Sequence, residues 1–135
     1  MTILFKALAL QVVVGLLALA APAALAAGPE PPKAYKQCES CHSYKQGAAH
    51  GIGPNLLGVF GRQIGTASGY AYSTQARAAG FKWTEDRLGA LIKDPRSYKK
   101  YLRKAFHGWR PSAVKTLVDE VIPFLRAISP SKAAK

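Results

Sequence analysis

Cys38-Glu39-Ser40-Cys41-His42, continued by His50-Gly51-Ile52-Gly53-Pro54-Asn55-Leu56, is the stretch from which the rest of the chain is read. Two thiols two residues apart, followed at once by an imidazole, form C-x-x-C-H, the spacing that attaches a c-type haem. The thiols can bond to the haem vinyl groups while the imidazole reaches the iron from one face. No other cysteine occurs in the 135 residues. A thioredoxin-like dithiol usually sits near a βαβ pattern, and none surrounds this motif. A zinc site normally takes four ligands, often as two separated pairs; here one pair stands alone, with His50 and His107 far along the chain. Covalent haem attachment is favoured over both. Such a haem often takes a methionine sulfur opposite the imidazole, yet the only methionine is Met1.

That methionine opens a segment of a different kind. Met1 to Ala20 carries one charge, Lys6, ahead of an apolar run from Ala7 to Ala20, and Ala24-Leu25-Ala26 offers a small-residue cleavage pattern. Residues 1–26 read as a secretory signal peptide, leaving residues 27–135 as one domain of an exported, periplasmic protein. If retained instead, Ile3 to Ala27 is long enough to anchor the chain in a membrane. The formal charge of +12 favours acidic protein surfaces, anionic lipid or nucleic acid, and export argues against nucleic acid. The same charge also suits a surface that merely keeps a monomer soluble.

Helical signals flank a glycine-rich centre. Pro32 suits the first turn of a short helix running to Cys38. From Ser43 to Trp83 the chain carries most of its twelve glycines, so turns are expected there rather than long elements. So long a loop is reasonable if it wraps a large flat cofactor. Thr74 to Ala79 reads as a short helix stopped by Gly80. Thr84 is a good N-cap, with Glu85 and Asp86 in the first turn and Leu88, Leu91 and Ile92 on one face. Asp94-Pro95 ends that helix and caps a shorter one through Tyr98 to Tyr101. Ser112 is the expected cap of the last helix, whose stripe is Val114, Leu117, Val118, Val121, Ile122, Leu125 and Ile128. Pro123 should kink that helix or end it near Val121. Residues 129–135 read as a disordered basic tail.

With the opening stretch joined by Phe60-Gly61-Arg62, Gly69-Tyr70-Ala71-Tyr72-Ser73, Trp83, Asp94-Pro95-Arg96-Ser97-Tyr98 and Phe106-His107-Gly108, the chain resembles the class I cytochromes c of mitochondria and bacteria. The likeness runs from about Tyr35 to Leu125. It implies an all-α cytochrome c fold, about four to five helices and glycine-rich loops wrapped around one covalently bound haem c. Cys38 and Cys41 would form the thioethers and His42 would be the proximal iron ligand. The Pro54 carbonyl would accept the other ring N–H of His42 and so fix its tautomer. Arg62, Tyr72 and Trp83 match positions that hydrogen-bond the buried propionates, which need donors or a cation. Leu56, Leu91, Tyr98 and Phe106 would line the crevice, Tyr35 would pack on the C-terminal helix, and His50 matches a loop-bracing histidine.

In that register Lys104 occupies the position of the family's axial methionine. Lys104 as sixth ligand requires a deprotonated amine, against a free pKa of about 10.4. His107, three residues on, is an imidazole alternative. A third possibility is a vacant or water-occupied site with Lys104 exposed. Ligation by either side chain makes the protein an electron carrier, of low potential because nitrogen donors prefer ferric iron. An open site instead suits a sensor or weak redox enzyme binding oxygen, nitric oxide, carbon monoxide or sulfide. No acid–base constellation is visible, so the carrier is the reading adopted, with Lys99, Lys100, Arg103 and Arg110 steering an acidic redox partner.

Overall fold

The computed structural model describes residues 28–102 and 112–129. The leader at 1–26, the candidate site residues Lys104, Phe106 and His107, Arg103 and Arg110, and tail residues 130–135 lie outside the described residues.

A 3-10 turn at Lys33–Tyr35 leads directly into α1, Lys36–Glu39. Pro32 is the N-cap of that turn rather than a member of it. α2, Thr74–Ala78, is opened by Ser73, whose hydroxyl accepts the Ala76 N–H. α3, Glu85–Lys93, is opened by Thr84 in the same way through Arg87 N–H, and Glu85 and Asp86 sit in its positive first turn. Asp94 caps the 3-10 turn Pro95–Tyr98 by accepting from Arg96 N–H. The Thr84 and Asp94 caps are therefore where the residue types placed them.

The glycine-rich chain between α1 and α2 is held by isolated contacts, not by a sheet. A single antiparallel bridge joins Gln63 to Lys82, flanked by Ile64 N–H to Phe81 O and Trp83 N–H to Arg62 O, both 2.9 Å. Gly65 follows with φ +83°, and a Cβ there would meet the Arg77 Cα at 2.7 Å. α2 thus rests on bare backbone, a contact only glycine allows.

The C-terminal helix departs from expectation at both ends and in the middle. Ser112 does not cap it; Ala113 is the N-cap, in left-handed geometry (φ +49°, ψ +51°) and without a side-chain cap bond. Helical geometry then continues through Val114–Thr116, a π turn at Leu117–Val121 and Ile122–Ala127. Pro123 neither ends nor breaks the helix. It has no N–H for the Asp119 carbonyl, and the turn that precedes it is a π turn, whose ladder does not call for that bond. Left-handed alanine costs about 1–2 kcal/mol. Leu117 and Leu125 are each 1 % exposed, and full burial of such a side chain contributes about 2 kcal/mol, so docking of the helix outweighs the strain at its start.

Two other segments dock on this helix. Tyr35 is buried, with its ring edge-on to Phe124 at 5.1 Å and to Tyr44 at 5.3 Å. α3 packs alongside, and the Arg126 guanidinium donates to both Glu85 carboxylate oxygens. Ser129, expected to begin a disordered tail, is instead buried. Its hydroxyl accepts the Phe60 N–H at 3.3 Å, and the Ile128 carbonyl accepts the Gly58 N–H at 3.0 Å. The helix end is held because it satisfies backbone donors of the central loop.

The Glu85–Arg126 pair makes one stability effect pH-dependent. The Arg126 hydrogen bond holds the Glu85 carboxyl below its ordinary value. A depressed carboxyl stabilises the fold above the unfolded-state pKa and loses that contribution as pH falls through the folded-state one. Arg126→Ala should therefore lower the urea midpoint slightly near neutral pH, because the pair is exposed. The difference from wild type should shrink as pH falls below the ordinary carboxylate range and vanish once Glu85 is protonated in the folded protein.

Candidate functional site

The turn that ends α1 gathers the motif. His42 N–H and Cys41 N–H both donate to the Cys38 carbonyl, at 2.9 and 3.0 Å. Folding back in this way sets Cys38, Cys41 and His42 on the wall of one cavity of about 760 Å³. Most of the remaining wall is apolar: Leu56, Val59, Ile64, Trp83, Leu91 and Leu125 all contribute.

His42 is oriented by its backbone neighbour in the loop. Nδ1–H donates to the Pro54 carbonyl at 2.7 Å, the bond expected for those two residues. Nε2 is then the ring nitrogen left with a lone pair. Burial holds the imidazole below its ordinary pKa, which keeps it neutral and able to bind a metal. The loop reaches this position only because it lacks side chains. A Cβ on Gly53 would lie 2.1 Å from His42 Cε1, and one on Gly51 would lie 2.5 Å from the Cys41 oxygen. Gly53 N–H, in turn, donates to that same Cys41 oxygen at 2.9 Å.

Burial, helped by charge on Cys41, pushes the Cys38 thiol up to about 11, whereas attacking thiols have lowered values. No group of three or more His, Cys, Asp or Glu converges among the described residues, so a bare-metal site has no ligand set there. His50 is engaged at both ring nitrogens. Nδ1 accepts the Asn55 N–H at 2.9 Å, so Nε2–H must donate to the Ser68 carbonyl at 2.7 Å. This is a loop brace.

Arg62 brings a cation to the wall. It donates from Nη1 to the Leu57 carbonyl at 3.1 Å and from Nη2 to the Asn55 carbonyl at 2.9 Å. Burial lowers its pKa, and no carboxylate among the described residues forms an ion pair with it. Tyr72 and Trp83 line the same cavity. Tyr98 does not: its ring stacks behind Trp83, with centroids 5.8 Å apart and planes 28° from parallel. It supports the wall from outside because Trp83 takes the inner position. Sequence reading missed Gln37, Ile64, Tyr70 and Ser73 on the wall. Val121 and Leu125 were legible as part of the apolar stripe, though not as cavity residues.

These residues fit a covalently held haem. The volume lies in the upper part of the range for cofactor pockets. Two thiols and one free imidazole nitrogen converge on an apolar space, and a half-buried cation, Arg62, stands ready for a carboxylate. Cys38 and Cys41 would hold the group, His42 Nε2 would ligate its iron, and Arg62 would meet a propionate.

The glycine contacts give a direct check. Gly53→Ala should cost about 1–3 kcal/mol, as overpacking does, read as a lower urea midpoint. The His42–Pro54 bond should fail with it, read as loss of the slowly exchanging Nδ1 proton by NMR. Retention of that proton at unchanged stability would contradict the close-approach reading.

Comparison with known proteins agrees with this geometry. No family model matches the chain. It is 43 % identical over 86 residues to cytochrome c2 of Rhodospirillum rubrum, a match covering 60 % of this chain and 64 % of that one. It is 41 % identical over 90 residues to cytochrome c2 of Blastochloris viridis, covering 64 % and 71 %. The match therefore spans just under two thirds of the first relative's length and somewhat more of the second's. Among solved structures, cytochrome c2 from Rhodospirillum centenum superposes with a TM-score of 0.60 at 29 % identity, covering 72 % of this chain and 93 % of that one. Cytochrome cH from Methylobacterium extorquens gives 0.56 at 30 %, covering 70 % and 91 %. On its fold, its motif and these relatives, the chain belongs to the class I c-type cytochromes.

Proposed function

We propose that this chain is an exported electron carrier that holds one haem c through Cys38 and Cys41, with His42 on one face of the iron and Lys104 on the other. The observation that carries the reading is the convergence of Cys38, Cys41, the Pro54-oriented His42 and the half-buried Arg62 on one largely apolar cavity. Bound haem supplies a one-electron couple between ferric and ferrous iron. The chain's part is to fix the His42 ring, exclude water with Leu56, Trp83 and Leu91, and offset propionate charge with Arg62.

Lys104 is favoured for the sixth position because it stands in the register of the family's methionine and the only methionine present is Met1. Tyr101 and Leu102, just before it in sequence, line the cavity. Coordination must outweigh a free amine pKa of about 10.4, and a nitrogen donor favours the ferric state, which lowers the potential. Low-temperature EPR and near-infrared MCD of the ferric protein test this. Wild type should be low-spin with two nitrogen donors, and Lys104→Ala should lose that signature. An unchanged low-spin spectrum in the variant excludes Lys104 and points to His107. A high-spin wild type that binds carbon monoxide once reduced sinks the carrier reading.

The partner is an acidic redox protein of the periplasm. Supporting this, Lys99 and Lys100 are exposed and, with Arg96, line a shallow surface groove. Seven acids face nineteen lysines and arginines across the chain. Second-order rates with an acidic acceptor should fall about tenfold between low salt and about 0.5 M. Rates independent of salt would rule out electrostatic steering.

A further inference from the structure

The loop that brings the Pro54 carbonyl to His42 has no side-chain anchor of its own. Gly51 and Gly53 lack side chains, and Ile52 between them is 65 % exposed. Such a run loses much conformational freedom when it is ordered, so it must be held from outside. One side chain does this. The Tyr70 phenol donates to the Ile52 carbonyl, and no other side chain among the described residues bonds to the backbone of residues 51–53. Two residues before Tyr70, the Ser68 carbonyl accepts His50 Nε2–H at 2.7 Å. Residues 68–70 therefore lie across the loop as a strap, fastened on both sides of Gly51. The Tyr70 ring meets His50 and Tyr72 in edge-to-face contacts at 5.4 and 4.7 Å, and it lines the cavity together with His42 and Ile52.

We propose that Tyr70 is a positioning residue for the axial imidazole, acting on His42 through the peptide between Ile52 and Gly53. The inference rests on the reading that His42 ligates the haem iron. That peptide is planar, and both of its polar atoms are engaged. Its N–H, from Gly53, donates to the Cys41 carbonyl at 2.9 Å, and its oxygen accepts from Tyr70. With both bonds in place the plane cannot turn, and the Pro54 carbonyl one residue on is held where His42 Nδ1–H reaches it. Without the phenol O–H the plane is free to swing about the Cys41 bond. A hydrogen bond weakens steeply as it loses alignment, and the Nδ1–H bond is what orients a ligating imidazole and strengthens it as a donor. The phenol thus governs the iron ligand without touching it.

The test is NMR of the holoprotein, read at His42 in two ways: exchange of its Nδ1 proton with solvent, and the haem-shifted positions of its ring protons. Tyr70→Phe keeps the ring and its edge contacts and removes only the O–H. Exchange should become about fivefold faster, the effect of losing one hydrogen bond that limits local opening, and the ring protons should move. Arg126→Ala separates general loosening from the specific effect. It destabilises the C-terminal helix without touching the strap, so both His42 readouts should stay at their wild-type values. Unchanged exchange and unchanged ring-proton positions in Tyr70→Phe overturn the positioning role alone. Exchange in Arg126→Ala as fast as in Tyr70→Phe overturns it too, because the proton would then be released by loosening anywhere in the fold. His42 ring protons without a haem shift in the wild type overturn the ligation reading first, and the role of Tyr70 with it.

Discussion

One hydrogen bond, from His42 Nδ1 to the Pro54 carbonyl at 2.7 Å, sets the terms for the chain around it. The carbonyl can approach the ring only if the loop before it has no side chains on that side, which requires glycine at 51 and 53. The stripped loop then lies close enough for Gly53 N–H to reach the Cys41 carbonyl, so motif and loop hold each other. Asn55 follows directly. Its N–H meets His50, its side-chain amide reaches the Lys45 carbonyl at 2.8 Å, and its carbonyl accepts from Arg62. The Arg62 cation is therefore placed by the same run of backbone that orients the imidazole. A shift in one would move the other, and a metal's ligands and the groups that orient them are commonly built as such a unit.

Elsewhere tertiary contacts override local preference. Ser112 has the right chemistry for an N-cap, yet Gln37 takes all of its polar groups. Pro123 should disrupt a helix, yet a π turn carries the helix past it. Both exceptions lie in the one helix whose Leu117, Val121, Phe124 and Leu125 make up much of the core. Burial there is worth more than a cap and an unstrained alanine together. Such local and global conflicts tend to gather near functional sites, and this helix also supplies Val121 and Leu125 to the cavity wall.

What could be read from the sequence followed from short-range chemistry. C-x-x-C-H, the Thr84 and Asp94 caps, the Gly80 stop and the apolar stripe of the last helix each depend on residues a few places apart. The His42–Pro54 bond and the docking of Tyr35 came through the family resemblance, which carries long-range pairing that spacing alone does not. What went unread depends on distant partners. Nothing near Ser112 signals that Gln37, 75 residues away, will claim it. Nothing near Ser129 shows that Phe60 needs its hydroxyl. Tyr98 was expected on the cavity wall and lies behind Trp83, because two aromatics competing for one surface are ordered by packing and not by pattern.

The wall's titratable groups also bear on what the site can do. Burial lifts the Tyr70 and Tyr72 phenols above their ordinary value. The lining includes no carboxylate among the described residues. Both shifts move the phenol away from neutral pH. General acid–base catalysis needs the opposite, a group tuned toward the operating pH. A wall whose protonation stays fixed suits a centre that changes charge by one electron, since the electron can come and go without drawing protons from these side chains. The same burial thus leaves the two phenols as neutral, fixed parts of the wall around the proposed haem.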